Sequence, residues 1–177
     1  MHVEVTNLSV AQIESGQILL ASQLQEQIMN LFLNIVTAVS IGMLVGTEFA
    51  VSAFINPILR KLDDQLQAQA IRLFAKRLGF VMPFWYVACF LLLIAGAIVR
   101  HYGTGEVLLI SASVLWAGVI VHTILVLVPI NNRMIAMDVR AFSPEAKREH
   151  GKWDSLHRLR VAALATSMVC FLAAICK

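Results

Sequence analysis

Residues Asn34–Pro57, NIVTAVSIGMLVGTEFAVSAFINP, form an apolar run of bilayer length that carries a single acid, Glu48. A helix of about 20 apolar residues crosses a hydrocarbon core roughly 30 Å thick. An acidic side chain inside such a helix costs about 2–4 kcal/mol or more, and faces a protein interior or a wet cavity. Ala38, Gly42, Gly46 and Ala50 recur every fourth residue and predict a smooth face against which a second helix packs closely. Glu48 lies off that stripe, above Ser52 and near Asn56. The helix is therefore expected to offer a packing face and, separately, a buried acid.

Four apolar segments follow one another: Met29–Phe54, Phe80–Val99, Val107–Ile130 and the shorter Val161–Ile175. With 59% hydrophobic and 14% charged residues in 177, the expectation is an all-α, four-transmembrane-helix bundle with cytoplasmic helical extensions. Residues 1–28 form a polar to amphipathic N-terminal segment and residues 29–177 the membrane domain. Ser9 and Gln12 are spaced to cap a short helix in that segment, which either lies on the outer interface or lengthens the first membrane helix.

Charge orients the bundle. Arg60, Lys61, Arg72, Lys76 and Arg77 lie between the first two membrane helices. Arg133, Arg140, Lys147, Arg148, Lys152, Arg158 and Arg160 lie between the last two, so only Arg100 and Lys177 are elsewhere. The positive-inside rule makes the two basic segments cytoplasmic and both termini external, as expected for a bacterial inner membrane. Topology accounts for the basic segments, and no nucleic-acid partner is expected. Cys89, Cys170 and Cys176 have no CxxC spacing and are expected to be inert packing residues.

Local signals place the remaining elements. Asp63 or Asp64 can cap a helix leading into the second span. The aromatics Phe84, Trp85 and Tyr86 beside Pro83 are expected to form an interfacial belt, with pocket lining as the alternative. Ser143-Pro144-Glu145 is a helix start, and only Gly151 interrupts the helix beyond it, which is expected to run about 30 residues. Its apolar part, Val161–Ile175, covers only about 22 Å, so His157 and Arg160 are drawn to the membrane edge.

The polar residues converge by depth. Glu48 lies about 12 Å before Asn56 and His122 about 13–14 Å before Asn131, counted at 1.5 Å per residue. Both are expected to point inward, with Ser52, Asn56, Asn131, Asn132, His157 and Arg160 below them. Trp153, His157 and Arg160 share one helical face. The expected result is a polar pocket opening toward the cytoplasmic half; the plainer alternative is a hydrogen-bond cluster that only holds helices together. Trp153 alone would read as an interface anchor, and His150 as a solvated loop residue.

GTEFAVSAFINP, VPINNR and the WxxxHxxR of Trp153, His157 and Arg160 together resemble the anthrone-oxygenase-like family of small four-helix membrane proteins. That resemblance implies a four-helix bundle. For the characterised branch it implies oxidation of an anthrone-type polyketide by dioxygen without metal or flavin. It casts Trp153 and His157 in catalysis and matches Glu48, Asn56, Asn131 and Asn132 to the family's other motifs.

Three functions are weighed. In a cofactor-independent oxygenase of flat apolar substrates, His157 would be the base. Arg160, Asn131 and Asn132 would stabilise an enolate, and Glu48 would tune a histidine such as His122. A non-enzymatic protein would bind a small apolar molecule or lipid, transport it, or serve a membrane complex; with four helices, a transporter would have to form homo-oligomers. A haem or metal protein on His122, His157 and Glu48 is disfavoured. The two histidines differ in depth by roughly two turns, and no HExxH or CxxC spacing is present. No metal and no cofactor are expected.

Overall fold

The computed structural model describes residues 2–100, 103, 105–136 and 143–176, with side chains from residue 16 onward. Arg140, and the side chains of Ser9 and Gln12, lie outside the described residues. The chain divides after Val36. Residues 2–36 are helical throughout.

The larger unit is built on the part of α1 (His2–Ala50) from Thr37 onward, with α2 (Asn56–Leu59), α3 (Asp64–Val99), α4 (Glu106–His122), α5 (Val128–Ala136) and α6 (Pro144–Ile175). No strand occurs among the described residues. Four stretches are long and apolar enough to cross a membrane: Gly16–Leu59, Asp64–Val99, Glu106–Ala136 and Pro144–Ile175. The protein is an all-α bundle of four such helices.

Their ends obey local chemistry. Asp63 caps α3 by accepting from the Leu66 backbone N–H at 3.0 Å, and Ser143 caps α6 by accepting from Ala146 at 3.2 Å. The α3–α4 turn sits on the end of α6, where Arg100 donates to the Ala174 carbonyl at 3.0 Å. Gly105 makes the approach possible, since a Cβ there would lie 2.6 Å from the same oxygen.

Two spans change pitch at matching places. Val51–Ile55 joins α1 to α2 and Thr123–Leu127 joins α4 to α5, each as a π-helical turn. Each turn ends two residues before a proline, Pro57 or Pro129. Proline has no N–H, and its ring crowds the carbonyl four residues back. The backbone answers by widening: Asn56 N–H reaches back five residues to Val51 O, and Val128 N–H to Thr123 O.

The core is where the spans meet. Trp116, Leu93, Leu109, Leu164 and Phe171 are fully buried beside Ile41 and Leu44. The Trp116 indole donates to the Tyr86 carbonyl at 3.0 Å, giving a buried ring the partner it requires. The face of α1 that is buried in this unit is Thr37, Ile41, Leu44 and Glu48, at steps of four and three. The small-residue stripe lies beside that face: Ala38 packs on the core and a Cβ on Gly42 would lie 3.9 Å from Met168 of α6. Gly46 is exposed, and a Cβ on it would meet nothing within 4 Å. Glu48 therefore lies on the buried face itself.

Candidate functional site

Glu48 is 2% exposed and its carboxylate is held from two other spans. Tyr86 of α3 donates its hydroxyl to Oε1 at 2.8 Å, and Arg160 of α6 donates Nη2 to Oε2 at 2.6 Å. The same guanidinium nitrogen lies 2.9 Å from His157 Nδ1. Because Arg160 can only donate, Nδ1 must accept, and His157 is neutral with its proton on Nε2. That proton goes to the Glu48 backbone carbonyl at 3.2 Å. Both imidazole nitrogens are thus committed. A buried carboxylate is tolerable only when paired and hydrogen-bonded, and here both conditions are met.

A second buried acid, Asp154, accepts from Asn56 Nδ2 at 2.7 Å, from Arg158 at 2.6 Å and from Arg60. It ties α2 to α6 at the basic end. In sequence, Asp154 and Arg158 look like an ordinary exposed i, i+4 pair; its burial was not legible there.

Glu48 and Asn56 border a cavity of ≈ 210 Å³. Its walls are mostly apolar: Ile71, Phe74, Leu78 and Met82 from α3, Val51 and Ile55 from the first π turn, Leu127 from the second, and Met134. Polar side chains reach it at fewer points: Thr47, Glu48, Asn56, Tyr86, Thr123, Asn131, His150, Trp153 and Arg160. Several of the lining residues are also exposed on the outside of the bundle: Phe74, Pro83 and Val87 on α3, Ile124 and Val128 opposite. Helix α3 packs on α4 and on α5 but hardly on the π turn between them. The cavity therefore opens sideways at that turn, through an apolar mouth.

Three rings of α6 stack along one side. His150 lies on Trp153 at 6.2 Å between centroids, and Trp153 on His157 at 4.7 Å, with planes within 10°. Trp153 faces the cavity, while His157, fully buried, is not among its lining residues.

The structure brings Glu48, Asn56, Asn131, Trp153 and Arg160 to the cavity. Asn131 lies across Gly79 and donates to the Ala75 carbonyl at 3.4 Å. Asn132 is exposed and outside it. His122 is half-buried, outside the cavity, and without a hydrogen-bond partner among the described residues. The expected inward pairing of Glu48 with His122 is replaced by Glu48 with Tyr86, Arg160 and His157. Tyr86 turns inward rather than joining an interfacial belt, while Phe84 stays exposed. His150, expected in a solvated loop, is buried on α6. The polar pocket expected from depth counting is instead an apolar cavity with a polar end. No cluster of three His, Cys, Asp or Glu among the described residues could hold a metal ion.

Residues 71–170 match the sequence model of the anthrone oxygenase family. The matched stretch holds Tyr86, Asn131, His150, Trp153, Asp154, His157 and Arg160; Glu48 and Asn56 precede it. No curated protein and no solved structure gives a significant match.

Proposed function

The chain belongs to the anthrone oxygenase family, and from that premise we propose that its cavity binds a flat, apolar molecule with an acidic C–H conjugated to a carbonyl and prepares it for reaction with dioxygen. The observation that carries this is an otherwise apolar cavity ending on a carboxylate, a guanidinium and a phenol.

Glu48 is the base, because it reaches the cavity wall whereas His157 sits behind Trp153 with both nitrogens engaged. Proton transfer from the C–H to Glu48 weakens its hold on Tyr86 and Arg160. Those donors then turn to the enolate oxygen, where charge develops. Trp153 borders the substrate with its ring edge, since its faces are stacked on His150 and His157, and His157 is a positioning residue that fixes Arg160. For an anthrone, one atom of dioxygen enters the methylene carbon. The other leaves as water with both methylene hydrogens, giving the quinone.

The apolar sideways mouth favours a substrate dissolved in the bilayer. The basic segments face the cytoplasm by the positive-inside rule, in a bacterial inner membrane. The same mouth also suits a protein that takes up a small apolar molecule or lipid without changing it.

Purified protein in detergent, given anthrone, should consume one dioxygen per quinone formed, faster than autoxidation, and Glu48→Gln should abolish the excess. Consumption no faster than detergent alone would overturn the oxygenase, and anthrone bound but unchanged would identify the carrier.

A further inference from the structure

His150 takes part in none of the polar networks described above. It lies on the second turn of α6, is 4% exposed, lines the cavity, and stacks on Trp153. Neither of its ring nitrogens has a hydrogen-bond partner among the described residues. A neutral imidazole carries one donor and one acceptor, and buried polar atoms are as a rule paired. His157, on the same face of the same helix, obeys that rule with both nitrogens. The acid next along the helix, Asp154, is no substitute, since its carboxylate already receives Asn56, Arg60 and Arg158.

Ten residues separate His150 from Arg160, about 15 Å along α6. Between them the cavity is walled by the edge of Trp153 and by Ile71, Leu78 and Leu127. Polar chemistry thus stands at both ends of an apolar slot, and only at the His150 end are both nitrogens of a side chain left over. Thr123 Oγ1 and Arg160 Nε, whose side chains are also on the wall, are single unpartnered atoms.

We propose that His150 is a second polar contact for the cavity's occupant. It hydrogen-bonds a hydroxyl or carbonyl group at the edge of the molecule remote from the Glu48–Tyr86–Arg160 end. The ligand class is then an elongated, flat apolar molecule with a polar substituent at its far edge. Trp153 borders it with its ring edge, and His150 sets its orientation in the cavity. The idea rests on the cavity being the ligand site, though not on catalysis there.

Binding of anthraquinone and of 2-hydroxyanthraquinone, at a pH where the hydroxyl is neutral, tests it by titration calorimetry on the full chain in detergent. The wild type should prefer the hydroxylated probe by about tenfold, the worth of one good hydrogen bond. His150→Phe, which keeps the ring stack, should bind the two probes equally. His150→Gln should restore part of the preference. Equal binding by the wild type, a preference that survives in His150→Phe, or one lost in Thr123→Val instead would each overturn the assignment. If neither probe binds the wild type, the cavity as a ligand site falls and His150 with it. The expected preference without oxygen consumption would uphold His150 and remove the oxygenase.

Discussion

Replacing Arg160 by methionine should be the most damaging single change in the polar cluster, and its size can be worked from the contacts. Arg160 Nη2 is shared between Glu48 Oε2 and His157 Nδ1. Without it, a carboxylate keeps only the Tyr86 hydroxyl. Two acceptors, Glu48 Oε2 and His157 Nδ1, are left facing each other at 3.3 Å. A neutral interhelical hydrogen bond in a membrane protein is worth only about 0.6 kcal/mol, whereas breaking a buried ion pair from one side costs about 3–5 kcal/mol. The second figure governs here, because the Glu48 side chain is 3% exposed and that of Arg160 only 10%. Glu48→Gln alone should cost about 1–3 kcal/mol, since the amide oxygen still accepts from Tyr86 or Arg160. In the double variant, the glutamine amide can donate to His157 and accept from Tyr86, so it should be at least about 2 kcal/mol less damaged than Arg160→Met alone. Unfolding of the four proteins in mixed micelles, titrated with SDS and followed by near-UV circular dichroism, gives the cycle. A cost below about 1 kcal/mol for Arg160→Met, or strictly additive variants, would refute a buried compensating pair.

Four further outcomes are expected. His157→Asn should lose about 1–3 kcal/mol of stability together with turnover, since it breaks the stack on Trp153 and two hydrogen bonds; full stability with no activity would instead return His157 to the role of base. Gly105→Ala should lower the melting temperature through the 2.6 Å clash with Ala174 O, by about 1–3 kcal/mol. Gly46→Leu should stay within about 0.5 kcal/mol, and a large loss there would mean that the exposed Gly46 surface is covered, as in an oligomer. In a Cys176→Ser background, a membrane-impermeant maleimide added to intact cells should label Gln17→Cys and spare Glu145→Cys; the reverse pattern would invert the orientation.

The sequence alone determined what depends on length and on neighbours in the chain. Four spans follow from runs of apolar residues, and the starts of α3 and α6 follow from Asp63 and from Ser143-Pro144. An acid in mid-span had to be inward because lipid offers it no partner. Tertiary structure decided how each span is rotated about its own axis. In a bilayer both the lipid side and the protein side of a helix are apolar, so hydrophobic periodicity, which aims a helix in water, says little here. Hence the Ala38–Ala50 stripe marks the buried face of α1 only in part: Ala38 and Gly42 meet the bundle, whereas Gly46 does not. Tyr86 could not be told from its exposed neighbour Phe84, and His122 seemed a match for Glu48 by depth alone. Depth is a property of one helix, whereas contact requires two helices to turn toward each other. His150 and Asp154 were hidden for a related reason. In the basic segment they look like ordinary solvated residues, and only the packing of α6 against α2, α5 and the π turns takes them out of water. The turns themselves had visible causes, Pro57 and Pro129, but that the backbone would widen there, beside a cavity, was settled by what packs around them.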